Sequence, residues 1–122
     1  MAHHPIVHVE FPAGNPTQGS QFYAGLFGWR IQVEETFDYV MFEAEGGPGG
    51  GFVTQGTDDS VDAVVPYVGT ADLDATLAKA VSLGAEMVRE KTEIPGMGYL
   101  ALFRDPSGNV VGLWQDLQSA AT

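Results

Sequence analysis

The chain contains no cysteine among its 122 residues. Disulfide scaffolds, thiolate nucleophiles and metal sites with cysteine ligands are therefore excluded, and a cytoplasmic location is the expectation. No apolar run approaches the roughly 20 residues that a membrane-spanning helix needs, and no segment combines a basic start with an apolar middle as a signal peptide does. We therefore expect a protein that has no disulfide framework and does not cross a membrane.

Basic residues are also scarce. The sequence has five Lys and Arg and sixteen Asp and Glu, which gives a formal net charge of −11. A surface this negative repels phosphate backbones and anionic lipids, so neither nucleic acid nor a membrane is an expected partner. The acidity does not identify a cationic ligand, since a net charge far from zero more often serves solubility.

The second half of the sequence repeats the first. Each half runs from a strand-like segment through a helix-like segment, which closes at Gly28 or at Gly84, to three further strand-like segments. Neither half could bury a core alone, so two copies of one unit predict a paired-module fold. We therefore expect one α+β domain over residues 1–122, made of two βαβββ repeats at about 5–55 and 62–115, with a ligand in the concavity between them.

The first strand sets the orientation of the N-terminal repeat. Apolar and mixed positions alternate over residues 6–12, which is the period of a strand with one apolar face. The apolar side chains, which are expected to lie under the helices, are Val7, Val9 and Phe11. His8 and Glu10 should then face the concave side of the sheet.

Helix starts and glycine-rich loops can also be predicted along the chain. Asn15-Pro16 predicts a helix start, because Asn is a good N-cap and Pro suits the first turn. A second helix is expected over Ala71–Leu83, and a following glycine should end each helix in a left-handed cap. Residues 46–51, Gly-Gly-Pro-Gly-Gly-Gly, are expected to form a mobile loop, which could act with Ile94–Gly98 as a pair of lids.

Three sequence strings carry a family resemblance: Ile6-Val7-His8-Val9-Glu10, Phe22-Tyr23-Ala24-Gly25-Leu26-Phe27-Gly28-Trp29 and Phe103-Arg104-Asp105-Pro106-Ser107-Gly108-Asn109. Over about residues 5–115, the chain resembles the glyoxalase / bleomycin-resistance / extradiol-dioxygenase superfamily, also called vicinal oxygen chelate. The resemblance implies two βαβββ modules that form a curved mixed sheet around a central cleft, with helices on the convex side and often a dimer. The superfamily includes isomerases, dioxygenases, epimerases and non-catalytic drug-binding proteins, so the function stays open.

The resemblance also implies where a metal would bind. Metal-using members take ligands from the first and last strands of each module, and these positions fall on His8, Gly51, Gly112 and either Val64 or Val65. The histidine alone can bind a cation, whereas a catalytic divalent site normally needs about three protein ligands. Glu10 shares the face of His8, but residues i and i+2 lie roughly 6.5–7 Å apart along a strand. We therefore expect neither a family-type metal nor another cofactor.

A cleft without metal would be lined by aromatic and apolar side chains with a few polar groups, as small-molecule sites usually are. The expected ligand-binding residues are Tyr39, Met41, Phe52, Tyr67, Tyr99 and Trp114. Tyr39 and Met41 of the first repeat are expected to match Tyr99 and Ala101 of the second. His8 is a candidate catalytic acid or base, because its unperturbed pKa is near 6.5, and Glu10 is the candidate residue that orients it. No serine stands beside a paired base, so no nucleophile is evident.

The leading interpretation is a glyoxalase-like protein that binds an apolar or aromatic small molecule in the cleft without the family metal, as a homodimer. Trp29, Phe37 and Trp114 are expected to be covered by the second copy. An alternative is a metal-dependent lyase, isomerase or dioxygenase of the same superfamily that uses His8. A third interpretation is an accessory module that binds another protein.

Overall fold

The computed structural model describes three ranges of the chain, 4–35, 39–54 and 63–117. The chain divides into two compact units. One unit is Val7–Pro66, and the other joins Met1–Ile6 to Tyr67–Thr122. The N-terminal and C-terminal modules named below are defined by whole strands and helices, over residues 6–54 and 65–116. Within the described ranges, neither helix has the length and apolar character needed to span a membrane. That the two modules form one domain around a central cleft stays a prediction.

The N-terminal module has the order βαβββ. Its elements are β1 (Ile6–Ala13), α1 (Pro16–Phe27), β2 (Arg30–Glu34), β3 (Tyr39–Glu43) and β4 (Gly49–Thr54). The strands lie side by side in the order β2-β3-β4-β1. β1 and β4 are parallel and the other neighbours are antiparallel. Helix α1 packs on one face of this mixed sheet, which leaves the opposite face for a site.

The C-terminal module repeats this arrangement. Its elements are β5 (Val65–Gly69), α2 (Leu73–Ser82), β6 (Glu86–Ile94), β7 (Gly98–Arg104) and β8 (Val110–Asp116). The strand order is β5-β8-β7-β6, with β5 and β8 parallel and the other neighbours antiparallel. The same order, strand directions and helix placement in both modules confirm the α+β class and the two βαβββ repeats.

Caps define the ends of both helices. The Asn15 side chain accepts a hydrogen bond at 3.1 Å from the amide three residues later, and Gly28 ends α1 in the left-handed region with a φ of 74°. Both features are confirmed as predicted. Asp72 caps α2 in the same way at 3.0 Å. The second helix therefore begins at Leu73, two residues later than the sequence predicts.

Each module has its own core under its helix. In the N-terminal module the buried residues Val40, Phe42 and Phe52 are surrounded by Phe11, Tyr23, Trp29 and Ile31. Trp29 stacks on Phe42 with ring centroids 4.2 Å apart, so it belongs to this core, whereas Phe37 lies outside the described residues. The C-terminal core is largely aliphatic and consists of Leu73, Leu77, Ala101 and Leu113.

The glycine-rich segment departs from the sequence expectation. An irregular loop is predicted over residues 46–51, whereas Gly49–Thr54 is strand β4. A Cβ atom at Gly50 would strike the carbonyl oxygen of Val9 and the ring of Phe42. Glycine is therefore required here because other groups approach the strand closely, and not because the backbone needs freedom. The prediction of a mobile loop is wrong for the part that forms β4.

Candidate functional site

Strand β1 determines which side chains of the N-terminal module can form a site. Phe11 packs against Tyr23 of α1, with ring centroids 5.2 Å apart. Because successive side chains of a strand alternate between faces, His8 and Glu10 lie on the face away from α1. Gly51 of β4 pairs with Glu10 and therefore shares that face.

Three polar side chains on this face form one hydrogen-bonded group, which we call the His8–Tyr39–Glu10 group. The Tyr39 hydroxyl lies 2.8 Å from Nε2 of His8 and donates a hydrogen bond to Oε2 of Glu10 at 2.9 Å. All three residues are half-buried. The tyrosine from β3 thus links two residues of β1 that could not reach each other along their own strand.

The hydrogen bond from Tyr39 to Glu10 favours one tautomer of His8. A phenol has one hydrogen, and that of Tyr39 is donated to Glu10. The Tyr39 oxygen can then accept from His8, which favours the neutral tautomer with its hydrogen on Nε2 and its lone pair on Nδ1. Burial lowers the pKa of His8 below its usual 6.5, because desolvation disfavours the charged imidazolium. At neutral pH the group combines an uncharged imidazole, a phenol and a carboxyl group.

The Tyr39 ring lies directly on the backbone of Gly51. A Cβ atom at Gly51 would strike the Tyr39 hydroxyl and the ring carbon that bears it. Sequence reasoning placed Tyr39 among the ligand-binding residues and missed both its link to His8 and Glu10 and the part played by this glycine. A glycine in mid-strand is the signal that could have found it, since such a glycine often marks a close approach by another group.

The C-terminal module has no equivalent group at the matching positions. Tyr67 pairs with Gly112 as Glu10 pairs with Gly51, which places Val65 at the position of His8. On β7, Leu102 pairs with Gly112 as Met41 pairs with Gly51. Leu100 therefore corresponds to Tyr39. The predicted match of Tyr39 and Met41 to Tyr99 and Ala101 is wrong by one residue, which moves those two to the other face.

Two of the residues expected to bind the ligand lie on helix faces. Phe52 is 2% exposed and stacks with Phe11 at 5.7 Å between centroids in the core under α1. Tyr99 packs against the core under α2, and Nζ of Lys91 lies 4.6 Å from its ring centroid. In each module, strand alternation puts these rings on the side opposite the glycine-bearing face. The structure therefore places Phe52 away from the His8–Tyr39–Glu10 group, and Tyr99 under its own helix.

Besides Tyr39, three of the expected ligand-binding residues lie on the faces opposite the helices. Met41 pairs with Gly51 and is half-buried beside Tyr39 on the N-terminal module's face. In the C-terminal module, the buried Tyr67 lies with its ring on Gly112. Trp114 is half-buried, and its Nε1 donates a hydrogen bond to Oδ1 of Asp116 at 2.7 Å. A role for these side chains in ligand binding stays a prediction.

The residues at the superfamily's metal positions do not fit a metal. His8 is present, but its counterpart Val65 is a buried hydrocarbon. The third and fourth positions, Gly51 and Gly112, carry no ligand atom, and a tyrosine ring covers each of them. Across the three described ranges, no group of three or more His, Asp or Glu residues is arranged to hold a metal ion. No step of the chemistry is therefore assigned to a metal here.

A separate cavity of about 670 Å³ lies at the edge of the N-terminal sheet. Its lining consists of Gly28, Arg30, Glu43, Ala44, Glu45, Gly47 and Gly49. Arg30 and Glu43 form an ion pair at 2.8 Å across its wall, with both side chains largely exposed. Exposed ion pairs of this kind contribute little to stability. The cavity also lacks the aromatic lining expected of the ligand site.

Comparison with known proteins gives the same picture of the fold. The model of the glyoxalase-like domain family matches residues 8–113. Among solved structures, the methylmalonyl-CoA epimerase of Mycobacterium tuberculosis superposes with a TM-score of 0.71, covering 95% of this chain and 91% of that one. The identity is 15%, so this likeness concerns the fold alone.

Curated relatives are longer proteins. The chain is 25% identical to the anthracycline biosynthesis protein DauV of Streptomyces sp. (strain C5), over 86% of this chain and 45% of DauV. It is 26% identical to CFP32 of Mycobacterium bovis, named as a candidate glyoxylase, over 88% of this chain and 44% of CFP32. The chain thus spans less than half the length of these relatives.

Proposed function

Because the chain belongs to the glyoxalase-like domain family, we propose that it binds a planar aromatic small molecule that carries a hydroxyl or carbonyl group. The ligand would lie against the face of the N-terminal module that carries His8, Glu10, Tyr39 and Met41. The divalent metal used by other members of the superfamily has no part in this binding.

The observation that carries this proposal is the His8–Tyr39–Glu10 group. Half-buried polar groups held in fixed positions beside apolar side chains are the usual means by which a small-molecule site orients its ligand. The Tyr39 oxygen has two lone pairs and Nδ1 of the neutral His8 has one, so either atom can accept a hydrogen bond from a hydroxyl group on the ligand. Met41 offers a polarizable, adaptable surface for an aromatic ring. The name of DauV, an anthracycline biosynthesis protein, supports a planar aromatic ligand.

A titration with 1,8-dihydroxyanthraquinone tests the proposal, because this compound is planar, absorbs visible light and carries both hydroxyl and carbonyl groups. We expect saturable binding to the unaltered protein. Tyr39→Phe keeps the ring and removes the hydroxyl, and it should weaken binding about tenfold, in line with the roughly 1.4 kcal/mol of a good hydrogen bond.

Two controls make this titration specific. Tyr23→Phe removes a phenol from the helix side of the same sheet and should leave the affinity unchanged. Unsubstituted anthraquinone lacks the hydroxyls, so its binding should respond less to Tyr39→Phe than that of the dihydroxy compound. Absence of saturable binding by any hydroxyanthraquinone would contradict the proposal.

The metal-dependent alternative has one observation in its favour, the position of His8 on β1. Elemental analysis of tag-free protein after dialysis with Ni²⁺, Zn²⁺, Mn²⁺ and Fe²⁺ separates the two proposals. Retention of one metal ion per chain that is lost in His8→Ala would favour a lyase, isomerase or dioxygenase. We expect no stoichiometric metal in either protein.

Homodimer formation and a cytoplasmic location stay proposals. The large exposed apolar side chains of the N-terminal module include Phe22, Leu26 and Phe27 on α1, each more than half exposed, and contiguous apolar surface of this kind favours association. Sedimentation equilibrium should give twice the chain mass if the homodimer forms. A stable complex with a different protein, together with failure to bind aromatic compounds, would favour the accessory-module interpretation.

A further inference from the structure

The Tyr39 side chain crosses an entire strand to reach its partners. In the N-terminal sheet, β4 lies between β3, which carries Tyr39, and β1, which carries His8 and Glu10. Two strands on either side of a third lie about 9.6 Å apart, twice the normal spacing of roughly 4.8 Å. The ring can span this distance only if it lies flat across β4, and the residue beneath it is Gly51.

Gly51 and its neighbour Gly50 differ in the atoms that an added side chain would contact. A Cβ atom at Gly50 would strike the backbone oxygen of Val9, which cannot move without breaking the β1–β4 pairing. A Cβ atom at Gly51 would strike the far end of the Tyr39 side chain, its hydroxyl and the adjoining ring carbons. That end can swing away by rotation about side-chain bonds. A methyl group at position 51 is therefore expected to displace the Tyr39 hydroxyl more than it disturbs the fold.

We propose that Gly51 is a positioning residue for the ligand site, because its missing side chain lets the Tyr39 ring cross β4 and places the hydroxyl between His8 and Glu10. This inference rests on the proposed function for its effect on ligand binding. Its effect on the hydrogen bond between Tyr39 and His8 does not depend on which ligand binds. Gly51 itself need not touch the ligand.

The C-terminal module supplies a matched control. Tyr67 lies on Gly112 at the equivalent register position, but β5 and β8 are adjacent strands, so that ring crosses no intervening strand. Gly112→Ala thus introduces the same methyl group beneath a tyrosine of the C-terminal module. Gly25→Ala provides a second control, since a Cβ atom there meets nothing within 4 Å.

A double-mutant cycle with 1,8-dihydroxyanthraquinone tests the positioning role. Gly51→Ala should weaken binding about tenfold, as Tyr39→Phe does. The double variant should bind no more weakly than either single variant, because both changes remove the contribution of the same hydroxyl group. Gly25→Ala should bind as the unaltered protein. Additive losses in the double variant, or an unchanged affinity in Gly51→Ala, would overturn the proposal.

The tautomer of the His8 ring provides a second test, which does not need a ligand. In the unaltered protein, long-range proton–nitrogen NMR spectra should show the hydrogen on Nε2, and His8→Gln assigns the signals. Gly51→Ala and Tyr39→Phe should both shift the Nε2 resonance and mix the two tautomers, whereas Gly112→Ala should not.

The binding assay and the NMR spectra together distinguish failure of the positioning role from failure of the proposed function. If no variant binds the anthraquinone but Gly51→Ala changes the His8 tautomer, the positioning role stands and the proposed ligand class falls. If the compound binds and Gly51→Ala leaves the tautomer unchanged, the positioning role is wrong. A Gly51→Ala protein that does not fold, as judged by circular dichroism, also overturns the proposal, since the glycine would then serve the fold itself.

Discussion

Nε2 of His8 lies 2.8 Å from the hydroxyl of Tyr39, although the two residues belong to strands that are not neighbours in the sheet. Through this contact an imidazole, a phenol and a carboxyl group form one continuous chain of hydrogen bonds. A basic atom, Nδ1, remains on the neutral imidazole. If His8 takes up a proton, the imidazolium keeps its Nε2 hydrogen bond to Tyr39, and the Glu10 carboxyl group lies on the far side of that phenol. The arrangement holds the imidazole in place to orient a ligand, while burial disfavours its protonated form.

Stability should depend on the titration of His8. Burial lowers the pKa of His8 in the folded protein, so below about pH 6.5 the unfolded chain takes up a proton that the folded protein resists. The free energy of unfolding should therefore fall as the pH decreases from about 6.5, and level off once the pH passes below the folded pKa. Urea unfolding between pH 7.5 and 5 measures this slope, and His8→Gln should reduce it.

The control for the pH series is His4→Gln, which removes an exposed histidine. Tyr39 is hydrogen-bonded to His8, and Glu10 is hydrogen-bonded to Tyr39, so the series is repeated in Tyr39→Phe to separate the histidine from this group. A slope that is the same in His8→Gln and in the unaltered protein would contradict this prediction.

Substitution of Phe52 should change the stability of the protein and leave its ligand affinity unchanged. The ring is 2% exposed and packs against α1 and its neighbouring aromatic residues. Phe52→Ala should lower the free energy of unfolding by about 3–5 kcal/mol, as large-to-small changes in a core do, whereas Phe52→Leu should cost much less. Urea unfolding measures both. If Phe52→Leu weakens anthraquinone binding while stability is unchanged, the ring lines the ligand site as the sequence predicts.

Gln115 should be needed to begin α2. Its side chain is buried, and its Oε1 accepts a hydrogen bond at 2.7 Å from the amide of Leu73, the first residue of the helix. Gln115→Met leaves that buried amide without its acceptor, which should cost about 1–3 kcal/mol of unfolding free energy. Gln115→Glu keeps an oxygen near the positive end of the helix and should cost less. Equal losses in both variants would show that the side chain matters through packing alone.

The fold was largely predictable from the sequence because its signals are local. Strand β1, the Asn15 cap and the glycine that ends α1 are each decided by a few neighbouring residues, and all three appear in the structure. The repeat of these signals then predicts two modules of one kind. The family resemblance adds the expectation of a mixed sheet, which local patterns do not supply.

The candidate site was less predictable, because it depends on strand register and on pairs of residues far apart in the chain. A one-residue error on β7 was enough to exchange Tyr99 for Leu100, since a shift by one residue turns every side chain to the other face. The link between Tyr39 and Glu10 spans 29 positions and requires knowledge that β4 lies between them. The run of glycines also looked like a loop, because composition alone does not distinguish backbone freedom from close packing.

That distinction predicts opposite effects for two glycine substitutions. A Cβ atom at Gly50 would strike the backbone oxygen of Val9 and the Phe42 ring, so Gly50→Ala should lower the unfolding free energy by at least about 3 kcal/mol. Gly25 lies on the exposed surface of α1 with open space around it. Gly25→Ala should therefore raise the unfolding free energy by about 0.5–1 kcal/mol, since alanine loses less conformational freedom in a helix. Thermal and urea unfolding of the two variants measure both effects, and a Gly50→Ala protein as stable as the unaltered one would mean that residues 49–51 form a loop after all.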